Sequence, residues 1–303
     1  MAGLKELRTR IETIKSTQKI TSAMKMVAAS GLRKAQGLIA SSAPYRENLA
    51  AVAGNIVSEY RMIEKNGTAV NWPMLISGSG ADKNYLLLVF TSDRGLCGSF
   101  NASVVKVAER RIEELRQAGK NVTVACIGRK GYSILKRQYG EIIVRSIDGI
   151  AKKGARYDES VVIANYAFDD FMMGNIDVCE AVFSEFHSAI NREIVCRRLL
   201  PIAIPAAEEN DSKPVLVNGA EYEYESGKMK VLDYMLPQLF RASVFEAIVQ
   251  SQASEQGARM TSMDNATRNA KDMISRLTLK YNRMRQNNIT TELIEIIAGA
   301  EAL

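Results

Sequence analysis

Two kinds of hydrophobic periodicity divide this chain. Over residues 2–43, large and small apolar side chains recur at spacings of three and four: Leu4, Leu7, Ile11 and Ile14, then Thr21, Met24, Ala28, Leu32, Ala35 and Ile39. That narrow stripe is the mark of a helix that faces another helix. Pro44 interrupts it, yet "YRENLAAVAGNIVSEY" is helical again. The pattern therefore predicts one long helix bent at the proline, on the order of 80 Å from end to end. The same spacing returns near the other terminus, through Phe245, Val249, Met260, Met263, Ala270, Ile274, Leu277, Tyr281 and Met284, with Gln252, Gln256 and Thr267 at some seam positions. Its only proline is Pro237, near the start. This second helix would exceed roughly 90 Å, too long to find a core of its own.

Between the two helical stretches the period changes. "YLLLVFT" (85–91), "NVTVACI" (121–127) and "IIVRSI" (142–147) are short strand-like runs, separated by helical stretches around 101–118 and 129–139. A further helix at 157–174 leads to "DVCEAVFSEF" and "REIVCRRLLPI". Alternating strands and helices predict a mainly parallel sheet covered on both faces. The last two runs are joined only by "HSAIN", too short for a parallel crossover, so they should form an antiparallel hairpin. The expected class is α/β: a long antiparallel coiled coil of N- and C-terminal helices plus a Rossmann-like, mostly parallel sheet domain. The expected boundaries are 1–60 for the first coiled-coil helix, 61–83 for a loop, 84–200 for the sheet domain, 201–230 for connecting loops and 231–303 for the second helix.

Composition narrows the function. The 303 residues are 47% hydrophobic and 24% charged, as in globular proteins, and no run reaches the ~20 apolar residues of a membrane span. Cys97, Cys126, Cys179 and Cys196 are widely spaced and read as small buried hydrophobes. With His187 as the sole histidine, an imidazole-based metal or acid/base site lacks its material. The net charge of +6 suggests acidic partners without choosing among nucleic acid, anionic membrane and acidic protein.

Local motifs give little catalytic chemistry. In "VFTSDRGLCGSFN" (89–101) a strand enters a turn with Gly95 and Gly98, then a helix whose N-terminus could hold an anion. It matches neither GxGxxG nor GxxxxGK[ST], and the favoured reading is a tight βα turn with Asp93 or Asn101 capping the helix. "GRKGYSI" (128–134) reads as a similar turn with solvated Arg129 and Lys130. Asp169 and Asp170 are adjacent on a helix and do not share a face. "RQNNITTELIEIIAGAEAL" (285–303) distributes hydrogen-bonding groups around a helix before Leu293, Ile296 and Ile297. It reads either as a frayed terminus or as a polar collar with an apolar tip that enters another protein, and its apolarity favours the second.

Four stretches, in order, carry a resemblance over the whole chain: "STQKITSAMKMVAAS" (16–30), "TSDRGLCG" (91–98), "ASEQGARMTSMDNAT" (253–267) and "YNRMRQNNITTELIEIIAGAEAL" (281–303). The sequence is similar to the gamma subunits of bacterial-type F-type ATP synthases. The resemblance implies a central-stalk rotor without catalytic residues, cofactor or metal, which couples c-ring rotation to the catalytic beta subunits. It implies as partners the hexamer of alpha and beta subunits, the epsilon subunit and the c-ring, with no nucleic acid and no direct membrane insertion. The implied location is peripheral, on the cytoplasmic face of a bacterial plasma membrane. By motif position, Arg285, Gln286 and Thr290 would meet polar loops of the hexamer. Met24 and Lys25 would lie near an acidic hinge segment of a beta subunit, Arg33 and Lys34 would lie lower on the stalk, and Tyr224 and Glu225 would form the foot on the c-ring. Two other classes remain to be separated from this one: an enzyme holding a nucleotide at the Gly95/Gly98 turn, and a basic coiled-coil tether.

Overall fold

The computed structural model describes residues 2–152, 154–204, 224 and 227–301. In chain order the elements are α1 (Ala2–Lys65), α2 (Met74–Ser77), β1 (Asn84–Phe90), α3 (Phe100–Gln117), β2 (Asn121–Ile127), α4 (Arg129–Tyr139), β3 (Ile143–Ile147), α5 (Tyr157–Met172), β4 (Val178–Phe186), β5 (Arg192–Leu200) and α6 (Lys228–Glu301). Pro44 and Pro237 lie inside α1 and α6 without ending them. The stretch expected to be loop over 61–83 contains the last turn of α1 and the single turn α2, where Leu75 is buried and Trp72 packs edge-on against Tyr60.

The chain divides into two compact units, Met1–Ala29 with Arg259–Leu303, and Ser30–Ala258. In the second, a five-stranded sheet has the order β3-β2-β1-β4-β5. β1 pairs in parallel with β2 and β4, β2 in parallel with β3, and β4 pairs with β5 in the antiparallel hairpin that the short connection demands. The central strands are apolar without alternation because each of their faces meets helices. Leu86, Leu88, Phe90, Ala181 and Phe183 pack with α5, the end of α1 and the first half of α6. Tyr85, Leu87, Val89, Val124 and Val182 pack on the other face with α3 and α4. The helices at both ends of the chain thus supply one layer of the sheet domain.

In the first unit α1 and α6 pair as an antiparallel coiled coil. Near the start of α1, a Cβ on Gly3 would lie 2.9 Å from the Met284 side chain. Further along, Thr267 Oγ1 donates to Thr21 Oγ1 at 2.8 Å, and Lys25 Nζ lies 2.6 Å from Asp264 Oδ1. As the α1 number rises, its partner's number falls. Ile11 and Ala28 are buried in this seam, while Met24 is 40% exposed. The predicted seam position Met24 is thereby corrected: Met24 is exposed, and Lys25, four residues from Thr21, reaches Asp264 at the margin of the seam with its own side chain 45% exposed. One cysteine expectation is also corrected. Cys97, Cys126 and Cys179 are buried, but Cys196 is exposed because β5 is an edge strand.

Candidate functional site

The loops at the C-terminal ends of the strands are where an open α/β sheet ordinarily receives a ligand, at the point where strand order reverses. Here that point lies between β1 and β4. The loop after β1 is closed by its own side chains. Asn101 Oδ1 accepts the Ser92 backbone N–H at 2.9 Å, and Asn101 Nδ2 donates to Ser92 Oγ at 2.8 Å. Neither Asn101 nor Asp93 caps α3, contrary to the expectation, and Ser99 stands at its N-cap without a side-chain hydrogen bond. Asp93 instead reaches the next turn, where Oδ1 accepts from Arg129 N at 3.1 Å and Oδ2 from Gly149 N at 2.8 Å. Its carboxylate stands at the start of α4, the position an anionic ligand would want. Gly131 N donates to Thr91 Oγ1 at 3.0 Å and Lys130 N to the Ser92 carbonyl at 3.0 Å, so these amides are spent within the chain. At Gly128, φ is +104° and a Cβ would lie 2.2 Å from the Thr91 carbonyl oxygen. Only glycine allows the two βα turns to pack this closely.

The crevice between β1 and β4 is filled by α6. Ser251 Oγ lies 3.5 Å from the Phe90 carbonyl, Gln250 Oε1 accepts from Phe186 N at 3.0 Å, and Ser254 Oγ donates to the Ser184 carbonyl at 3.1 Å. A nucleotide at the Gly95/Gly98 turn therefore finds a closed edge, and among the described residues no group of metal-ligating side chains forms a site. His187 follows β4 directly and faces Glu193 across the hairpin at 3.6 Å. Spacing alone gave no hint of the serine and glutamine cluster on α6, because these residues read as weak positions in a helical stripe.

The residues singled out by motif position do not form one cluster. Arg285, Gln286 and Thr290 lie exposed on α6 beyond Met284, and Thr290 Oγ1 donates to the Gln286 carbonyl at 3.0 Å. Over this last stretch Ile289, Leu293, Ile294, Ile296 and Ile297 are each more than half exposed. Lys25 bridges to Asp264 across the margin of the coiled-coil seam, both side chains partly exposed, and Asp264 also binds an Arg268 guanidinium nitrogen at 3.0 Å. The hydrogen bond from Lys25, with the charge of Arg268 in support, holds the Asp264 carboxyl below its usual range. In the other unit, Arg33 and Lys34 are exposed on α1. Tyr224 packs against the sheet's core with Lys228 Nζ 5.8 Å from its ring centre, and Glu225 lies outside the described residues. No described helix is long and apolar enough to cross a membrane.

Comparison with known proteins agrees with this geometry. The ATP synthase family model matches residues 3–303. The chain is 43% identical over 305 residues to the ATP synthase gamma chain of Rhodospirillum rubrum, and 43% over 303 residues to that of Paracoccus denitrificans, with all of each chain covered. Among solved structures, a chain of the central stalk and c-ring of the Tetrahymena thermophila mitochondrial ATP synthase superposes with a TM-score of 0.57 at 25% identity, over 82% of this chain and 99% of that one. A chain of the Euglena gracilis mitochondrial ATP synthase F1 and c-ring assembly superposes with a TM-score of 0.62 at 17% identity, over 99% and 94%. A family match over residues 3–303 and relatives matched along their full length lead to one conclusion: the chain belongs to the ATP synthase gamma-chain family.

Proposed function

We propose that this chain is the central-stalk rotor subunit of a proton-translocating F-type ATP synthase, a non-catalytic part that couples c-ring rotation to conformational change in the catalytic beta subunits. The observation that carries the reading is the end of α6. Past Met284, which lies beside Gly3 near the start of α1, the helix continues to Glu301 and exposes a row of isoleucines and leucine. Exposed apolar surface of this kind calls for a protein sleeve, and the hexamer of alpha and beta subunits would supply it. Arg285, Gln286 and Thr290 form the polar collar below this tip. Met24 remains outward and available to a beta subunit, whereas Lys25 serves the seam first. Arg33 and Lys34 belong to the lower stalk, Tyr224 and Glu225 to the foot on the c-ring, and epsilon is the further partner. The complex would work on the cytoplasmic face of a bacterial plasma membrane.

Reconstitution tests the reading. The isolated chain should hydrolyse no ATP, and mixing it with alpha and beta subunits should yield a complex that does, with the chain at its centre in an electron-microscopic image. Enzyme-level hydrolysis by the chain alone, or failure to join the hexamer, would count against it.

A further inference from the structure

The polar side chains with which α6 fills the ligand crevice are more than filling. Gln250 and Ser251 are 9% and 7% exposed, and Ser254 and Ser184 are fully buried. Leucine or alanine would occupy a helix–sheet contact at lower desolvation cost. What polar groups add is direction, because a hydrogen bond specifies one rotation of the helix where an apolar contact tolerates several. The bonds also leave α6 on different sides. At about 100° per residue, Gln250, Ser254 and Gly257 share one face, towards the end of β4 and its hairpin. There Gly257 approaches so closely that a Cβ would lie 3.3 Å from Ala189 Cα. Ser251 points a quarter-turn away, towards the end of β1. Gln252 points roughly opposite the first face, where its Nε2 donates to the Ala151 carbonyl at 3.0 Å and its Oε1 accepts from Ala155 N at 3.0 Å. Arg192 adds a bond to the Ser254 carbonyl at 3.3 Å, and Glu246, just over one turn before Gln250, is held by Arg46 at 3.2 Å and Arg197 at 3.1 Å.

We infer that residues Gln250, Ser251, Gln252 and Ser254 form a torque-bearing joint, in which a helix occupies the ligand crevice of a Rossmann-like sheet and is pinned there against rotation about its own axis. Gln252 is the key positioning residue, since both ends of its amide are bound on the side away from β4. The inference rests on the central-stalk reading: a helix that must pass torque to or from the sheet domain needs contacts that resist turning, not merely separation.

The test uses the intact synthase in proteoliposomes carrying Gln250→Leu, Gln252→Leu and Ser254→Ala together. ATP hydrolysis by the detached, unloaded catalytic head needs little torque and should stay at the wild-type rate. ATP synthesis driven by an imposed proton gradient, which must pass torque through the joint, should fall well below the wild-type rate. Adding Gly257→Cys and Ala189→Cys, and oxidising them to a disulfide, should restore synthesis until reductant is added. Wild-type synthesis by the assembled triple variant overturns the joint. If the triple variant does not assemble, the same cysteine pair is placed in the otherwise wild-type complex. Synthesis unchanged by the cross-link supports two elements that do not turn against each other, whereas synthesis lost on oxidation and regained on reduction overturns the proposal. Failure of the wild-type chain itself to join alpha and beta subunits would remove the stalk reading, and is seen separately, before any variant is assayed.

Discussion

Asp177 is a residue whose role is fixed by its surroundings. It is 4% exposed just before β4, where Oδ1 accepts from Ser79 Oγ at 2.6 Å and Oδ2 from the Lys83 and Asn84 amides at 3.0 and 2.8 Å. The Ser79 hydroxyl first, and then the Asn84 amide, hold its carboxyl below the usual range. A depressed carboxyl stabilises the fold fully above its unfolded value of about 3.9 and loses that contribution as pH falls through the lower native value. Asp177→Ala should therefore destabilise the sheet domain by about 1.5–3 kcal/mol at neutral pH. The difference from wild type should shrink on acidification, as followed by circular-dichroism melts. Gly128→Ala is a different kind of residue-scale change. It places a Cβ against the Thr91 carbonyl at a positive φ, and a loss of at least ~2 kcal/mol is expected from strain and overlap together. None of these roles is visible in the bare letters, since Asp177 finds its partners across nearly a hundred residues of sequence.

At the scale of elements, α1 and α6 show how polar groups set register where apolar area is thin. Thr21 and Thr267 meet in their seam in the first unit, and Lys25 and Asp264 bridge its margin. A polar pair at a narrow seam selects one alignment and penalises slippage by a turn. Asp264→Lys sets two ammonium groups against each other and should lower the melting temperature of the paired helices. The reversal Lys25→Asp with Asp264→Lys should recover most of that loss, and lack of recovery in a double-mutant cycle would assign the effect to something other than the pair. The existence of both helices, the strand sequence and the hairpin were legible, because each follows from a local period or a connection length. The bridge from Lys25 to Asp264 was not: adjacent positions on a helix differ by about 100°, and only the partner helix decides which one meets it.

For the whole molecule, the expectation is that the grip on the catalytic hexamer lies along the exposed end of α6. Arg285→Ala with Gln286→Ala should leave the chain folded, since neither side chain is buried, while weakening assembly or the coupling of hydrolysis to proton pumping in the complex. Removal of the last few residues should be milder, because contacts spread along a helix share the load. Proton pumping per ATP in vesicles distinguishes the two. Unchanged coupling in the double variant would move the grip elsewhere.

Periodicity by itself determined two long amphipathic helices, an alternating strand-helix core and a final antiparallel pair, since these depend on which side chains fall on one face at a fixed rise. Sequence motifs reached the family. The tertiary structure alone decided that Asp93 closes the start of α4, that Lys25 answers Asp264, and that α6 occupies the edge between β1 and β4. Each of these joins groups far apart in the chain, whose meeting is set by the packing of whole elements and by the need to satisfy every buried polar atom.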